Sequence, residues 1–292
     1  MRVARWHIDV SSRSDVYTIV PLYDLHIGSA ACDEKGITSV VSRIKSDPLC
    51  YWIGGGDMCE YINMRDRRFD ATMLPEWLNA KALADLAKAQ RDRLLDYLKP
   101  IANKCIAILS GNHENSIRLH YERDVHAEFV AEIKSAGKFK ADSVLGLGVY
   151  GWCLLNFRRT GKQNKTGSSG VPIVLNLHHG FTNGRLEGAK ALNMQRWLWT
   201  HECDVALQGH SHNLQVQAQQ IESVNQNGVW QVRNQFGAYC GSFLRGVLPD
   251  SDGTYTERAG YLPQGAGRIE VRIRPGAHKY EDRLTVKAIL AE

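Results

Sequence analysis

Five apolar runs in this chain end alike, each breaking off into residues that bind metals or move protons. "YDLHIG" carries Asp24 and His26, "GGGDM" Asp57, "SGNHEN" Asn112, His113 and Glu114, "NLHHG" His178 and His179, and "GHSH" His210 and His212. The runs at 16–24, 50–55, 105–111 and 173–179, with the one before Gly209, are short and rich in β-branched residues, and read as buried strands. Helical patterns alternate with strands through the first half, which predicts an α/β protein with crossover connections. In open α/β sheets ligands bind at the carboxyl ends of strands, so five clusters at five strand ends should meet at one rim. Six of the 11 histidines fall inside these clusters, a concentration that structural use alone would not produce.

The rest of the chain is organised around that rim. One helix is expected over 76–98, with Trp77, Leu83, Leu86, Leu94 and Leu98 near one face. A second is expected over 116–135, where Ile117, Tyr121, Val125, Phe129 and Ile133 recur every four positions. His120 and His126 on the second helix read as surface or helix-edge histidines. After residue 200 the pattern changes to alternating hairpin segments, "LQVQAQQIE", "VWQVRNQF", "RIEVRIR" and "RLTVKAIL", which predict a second sheet. The polar stretch 156–172, with Arg158, Arg159, Lys162 and Lys165, reads as an exposed loop insertion, and 248–267 as a second irregular segment. Neither separates independent patterns, so 1–292 is expected to form one domain, completed by a β-rich part over 213–292.

Composition narrows the setting. The seven cysteines are odd in number and form no C-x-x-C pair, which argues against a disulfide framework or a thiolate zinc site and predicts buried free thiols. No run of about 18 apolar residues and no secretory leader is present, so a cytoplasmic protein that does not cross a membrane is expected, with no obligate protein partner in evidence. A net charge of +5 is compatible with a phosphate-bearing substrate but is too small to mark a dedicated nucleic-acid binder.

Oxygen and imidazole donors without thiolate suit Mn, Fe, Co, Ni or Zn, and seven such donors exceed what one ion needs. Two divalent ions are implied. Ions about 3.5–4 Å apart can clamp a phosphoryl group and make hydroxide available near neutral pH. Asp57, alone after Gly54, Gly55 and Gly56, is the natural donor to share between them.

In order and spacing, Asp24-Leu-His26, Gly56-Asp57, Gly111-Asn112-His113-Glu114, His179-Gly180 and Gly209-His210-Ser211-His212 resemble the signature of the calcineurin-like metallophosphoesterases over residues 17–213. The resemblance implies a four-layer α/β/β/α sandwich with two central mixed sheets. It also implies a binuclear centre, with manganese the first choice and Fe, Ni, Co or Zn as alternatives. Asp24, His26 and His212 would bind one ion, Asn112, His179 and His210 the other, and Asp57 would bridge. His113 would be the catalytic residue that touches the phosphate or leaving group, with Glu114, Glu60 and His178 in supporting positions. The family's ligand usually precedes glycine, which selects His179 over His178.

The arginines that mark the protein serine/threonine phosphatase branch are missing: "MCEYINMR" follows Asp57, and Ser110 precedes the Gly-Asn-His-Glu block. A phosphodiesterase or nuclease is therefore favoured over a phosphomonoesterase. A catalytically silent binding module of the same fold is the alternative from another class. The loop's basic residues could follow a nucleic-acid backbone, and Trp197, Trp199, Trp230 and Tyr239 could stack on bases, although core packing is expected for most of these rings.

Overall fold

The computed structural model describes residues 1–159, 171–181, 186–224, 227–248, 254–258, 266–277 and 282–290. Twelve strands are present among them: β1 (Arg2–Val10), β2 (Tyr17–Leu22), β3 (Cys50–Gly54), β4 (Cys105–Leu109), β5 (Gly146–Gly148), β6 (Tyr150–Arg159), β7 (Val171–His178), β8 (Val205–Gln208), β9 (Leu214–Val224), β10 (Trp230–Cys240), β11 (Gly267–Ile273) and β12 (Leu284–Leu290). They build two six-stranded mixed sheets, one in the order β1-β6-β7-β8-β10-β9 and the other β12-β11-β2-β3-β4-β5. The helices used below are α1 (Glu34–Ser46), α2 (Ala80–Leu83), α3 (Leu86–Leu98), α4 (Asn112–Tyr121), α5 (Val125–Ala136) and α6 (Glu187–Thr200).

Alternation along the strands explains the layers. On β2, Ile19 faces the other sheet and packs in a core with Leu155, Leu175, Leu207 and Val271, while Val20 and Leu22 face the helices. The helical side of that sheet is covered by Ile37 and Ile44 of α1, Leu94 and Leu98 of α3, and Phe129 and Ile133 of α5. Met194 and Leu198 of α6 cover the outer face of the other sheet, over Ala206 and Tyr239. The result is an α/β/β/α sandwich. Strands buried on both faces have no polar side to show, which is why β2, β4 and β8 read as continuous apolar runs.

Several expectations need correction. The helix expected over 76–98 is broken at Ala84–Asp85, where the Asp85 carboxylate accepts the Lys88 amide and starts α3 afresh. The one expected over 116–135 is two helices, divided where Glu122 takes φ 53° and Asp124 caps α5. A four-residue recurrence crosses such a break unnoticed, because both pieces bury the same side. His126 is half-buried at the edge of α5, where burial pushes its ring down to about 4. His120 is exposed.

The hairpin material after residue 200 does not form a sheet of its own. β9 and β10 extend one sheet antiparallel to each other beyond β8, and β11 and β12 extend the other beyond β2. β1 and its parallel pairing with β6 were not foreseen. The polar loop is narrower than 156–172, since β6 runs through Arg159 and β7 begins at Val171; the remainder, with Lys162 and Lys165, lies outside the described residues, as does most of the segment 248–267. All seven cysteines are buried and free. Tyr239 is core, whereas Trp199 and Trp230 are exposed. No described helix is long and apolar enough to cross a membrane.

Candidate metal centre

Five loops reach the same place from two sheets. Asp24 and His26 follow β2, Asp57 follows β3 and Asn112 opens α4 after β4. From the facing sheet, His179 follows β7, and His210 and His212 follow β8. Immediately past a strand the chain must turn sharply, and here it turns through left-handed backbone. Asp24, His26, Asp57, His210 and His212 all have φ between 49° and 65°, and they are five of the eight non-glycine residues in that region among those described. Each such residue carries a cost of order 1–3 kcal/mol, and strain of this kind gathers at functional sites. Between them, Gly56 (φ +87°) permits a close approach that no other residue could make, because a Cβ there would stand 2.6 Å from the Gly111 nitrogen and 2.7 Å from His179 Nδ1.

The donors fall into two sets. Asp24, His26 and His212 offer atoms within 4.8 Å of one another, and so do Asp57, His179 and His210. In the first set the Nε2 atoms of His26 and His212 approach to 3.2 Å, and Asp24 Oδ1 is 3.9 Å from His212 Nε2. In the second, His179 Nε2 is 3.3 Å from Asp57 Oδ2 and 3.1 Å from Asn112 Oδ1, which is 2.8 Å from His210 Nδ1. His210 and His212, two residues apart, therefore turn to different sets.

The far sides of the rings are held as metal-binding histidines are held, by donation of the second ring N–H to an oxygen. His26 Nδ1 donates to Glu60 Oε2 at 2.7 Å, and His179 Nδ1 donates to the Gly55 carbonyl at 3.0 Å, which leaves Nε2 of each ring for the centre. Glu114 clamps the loops from behind: its carboxylate accepts the amides of Asp57, Met58 and Gly111 at 3.0, 2.9 and 2.8 Å. His113 Nδ1 donates to the Glu60 carbonyl, and its Nε2 lies 4.0 Å from Asp57 Oδ2. A third grouping of His26, Glu60 and His113 also exists, in which His26 meets Glu60 through Oε2 and His113 meets its backbone carbonyl.

His178 is not part of this network. Its ring sits in an aromatic cluster, 5.1 Å from Trp197 and 5.4 Å from Phe181, and its Nδ1 accepts the Gly180 amide at 2.7 Å. Successive residues at a strand end face opposite sides, which accounts for His179 meeting Asn112 and Asp57 while His178 packs on Trp197. Near the centre, His178 accepts the Gly180 amide and so holds the turn that follows β7.

Electrostatics supply a test of whether these residues suit a cation. Asp24 is wholly buried, its Oδ1 has no hydrogen-bond partner among the described residues, and burial pushes its carboxyl up to about 7. An anion placed so is costly unless a positive charge meets it. For His26, burial is outweighed by Glu60 and then Asp57, and the ring is held up at about 9. His179 is held at about 10, chiefly by Asp57 against burial. Histidines that retain protons at such pH stand where compensating positive charge is needed. The donor set fits divalent ions that accept nitrogen and oxygen.

Three contributors escaped the sequence reading. Gln90 is fully buried and accepts the Tyr61 amide at 2.7 Å, fixing the loop that carries Glu60. Lys190 is buried on α6 and its ammonium donates to Asn213 Oδ1, next to His212. Both left a signal: Gln90 sits four residues from Leu86 and Leu94, and Lys190 four from Met194, so each is a polar residue inside an apolar stripe. Arg68 is forked onto Asp66 at 3.1 and 2.8 Å and feels the charges of Glu60 and Asp57, although it lies outside the five blocks.

No protein-family model and no curated protein matches the chain. Among solved structures, similarity is found to Vps29 from Entamoeba histolytica complexed with Zn2+, with 10% identity over 94% of this chain and 98% of that one, and a TM-score of 0.37. A predicted phosphoesterase from Streptococcus pneumoniae matches at 10% identity over 94% and 98%, with a TM-score of 0.32. Vacuolar Protein Sorting 29 from Cryptosporidium parvum matches at 12% over 94% and 99%, with a TM-score of 0.37. Likeness at this level carries no argument about function.

Proposed function

We propose that the chain is a two-metal phosphoesterase that hydrolyses phosphodiesters, nucleic-acid strands included. The observation that carries this reading is the division of the donors into two adjacent sets, with His113 beside them and its Nδ1 tied back to the Glu60 carbonyl. Asp24, His26 and His212 would hold one ion, and Asn112, His179 and His210 the other, with Asp57 shared. Bound divalent ions, Mn2+ foremost, would polarise the phosphoryl group and make hydroxide available near neutral pH.

The protein's own residues do the rest. Glu60 and the Gly55 carbonyl orient His26 and His179, so that no reorganisation is needed when substrate arrives. With Nδ1 committed, His113 can meet substrate only through Nε2, which suits it to give a proton to the leaving oxygen. Glu114 holds the Asp57 and Gly111 loops in register and does not itself touch substrate. The preference for diesters rests on the absence of arginine from the five motif blocks.

The test is hydrolysis of bis(p-nitrophenyl) phosphate, p-nitrophenyl phosphate and single-stranded DNA with Mn2+ and with chelator. Metal-dependent cleavage of the diester and of DNA is expected, with the monoester slower. A monoester rate above the diester rate would contradict the preference, and no cleavage by metal-loaded protein would contradict the activity.

A further inference from the structure

Helix α4 runs from His113, beside the candidate metal centre, to Ile117 and Tyr121, which line a separate cavity. The chain after Glu60 runs beside α4 and is tied to it at two points. At the inner end His113 Nδ1 donates to the Glu60 carbonyl; at the outer end the Tyr121 hydroxyl donates to Asn63 Oδ1 at 2.8 Å. His113, Ile117 and Tyr121 recur every four residues as a slanting stripe, so Ile117 lies about 6 Å and Tyr121 about 12 Å from His113 along the axis.

The cavity at the outer end has a volume of about 330 Å³, and its lining includes Ile117, Tyr121, Leu86, Met64 and Arg65. Its floor is apolar, since Leu86 and Ile117 are buried in the core beneath, while Met64 and Tyr121 are exposed at its edge. Two guanidiniums border it. Arg123 is committed to Asp85 and Glu128, whereas Arg65 forms no ion pair among the described residues.

We propose that this cavity is the subsite for the leaving-side nucleoside of a phosphodiester, an inference that rests on the phosphodiesterase reading. An apolar floor edged by the Tyr121 ring suits a base, whose face stacks without regard to sequence. The uncommitted Arg65 suits the next phosphate along a strand, and the position of His113 at the inner end places the scissile bond between the ions and the cavity. A lipid chain would need a longer apolar channel than two side chains provide.

Titration calorimetry of the metal-loaded protein with adenosine tests the subsite without relying on turnover. Ala84 borders the cavity at the exposed junction of α2 and α3, so Ala84→Trp should fill it from outside. Adenosine is expected to bind the wild-type protein and to bind Ala84→Trp and Tyr121→Ala at least tenfold more weakly. Tyr121→Phe, which keeps the ring, should stay within about threefold. The metal content and thermal melting of each variant must match the wild type, and KM for a dinucleoside monophosphate should rise in the same order. Absence of adenosine binding, or binding indifferent to Ala84→Trp, would overturn the subsite even if diesters are cleaved. Binding that follows the variants, in a protein that cleaves no diester, would instead overturn the hydrolytic reading and leave the nucleoside site standing.

Discussion

Asp24 accepts the backbone amide of His210 through Oδ2 at 2.8 Å, while its Oδ1, fully buried, has no hydrogen-bond partner among the described residues. One oxygen thus fastens the loop after β8 to the loop after β2, across the two sheets, and the other is left for a cation. Asp24→Asn would keep the shape but give up charge. We expect it to lose the ion held with His26 and His212 and to lower diester hydrolysis by at least a hundredfold. Metal analysis alongside the rate checks this, and an unchanged metal content would remove Asp24 from the ligand set.

Glu60 acts through His26. Removal of an outer partner of a metal-binding histidine usually costs 10- to 100-fold in metal affinity or activity, and Glu60→Gln should fall in that range. Competition with a chromogenic chelator measures the affinity directly. A variant that binds metal as tightly as the wild type would show that the 2.7 Å contact is incidental.

His113→Ala should keep its metals and lose roughly 10²- to 10⁴-fold in rate on nucleoside or alkyl diesters, the range of general acid catalysis, but much less on p-nitrophenyl esters, whose leaving group needs no proton. Equal losses on both kinds of substrate, at full metal occupancy, would leave His113 as an electrostatic stabiliser of the transition state.

The two adjacent histidines should separate cleanly. His179→Ala is expected to lose metal. His178→Ala is expected to retain it and to lose packing against Trp197 instead, because its ring lies 5.1 Å from that indole. Metal analysis and thermal melting of the pair distinguish them, and metal loss from His178→Ala would contradict the assignment.

Acid sensitivity should trace to a residue away from the centre. Burial lowers His126 from 6.5 to about 4, and its Nε2 has no partner among the described residues. Between those values the unfolded chain takes up a proton that the folded chain refuses. The stability tied to this ring is therefore complete above pH 6.5 and is lost as pH falls towards 4. Integrated over that window the loss is about 1–3 kcal/mol. Urea unfolding at pH 7 and pH 4.5 should show that His126→Leu is spared this part of the decline; parallel declines in both proteins would exclude His126.

The strands that frame the centre were legible because burial on both faces erases polar alternation, as in β4, and because each of the five clusters is compressed into a few residues at a strand end. What joins them was not. Gln90 and Lys190 are single polar residues in apolar stripes, and only the fold reveals that one holds Tyr61 and the other Asn213. The helix break at Asp85 was hidden for a related reason, since Leu83 before it and Leu86 after it keep a helical spacing of three residues. β1 was missed although Ala4, Trp6, Ile8 and Val10 alternate inward along Arg2–Val10, because its parallel partner β6 is far away in sequence, with Ala4 beside Cys153. Pairings at such separation leave no local trace.

The central claim is that two ions sit side by side and share Asp57. It is tested most directly by metal stoichiometry, measured by inductively coupled plasma mass spectrometry on protein equilibrated with Mn2+ and freed of excess metal, for the wild type, His210→Ala, His212→Ala and Asp57→Asn. The account predicts two ions per chain in the wild type, one in each histidine variant, and loss of both in Asp57→Asn. One ion in the wild type, or Asp57→Asn that keeps one ion tightly bound, would contradict it.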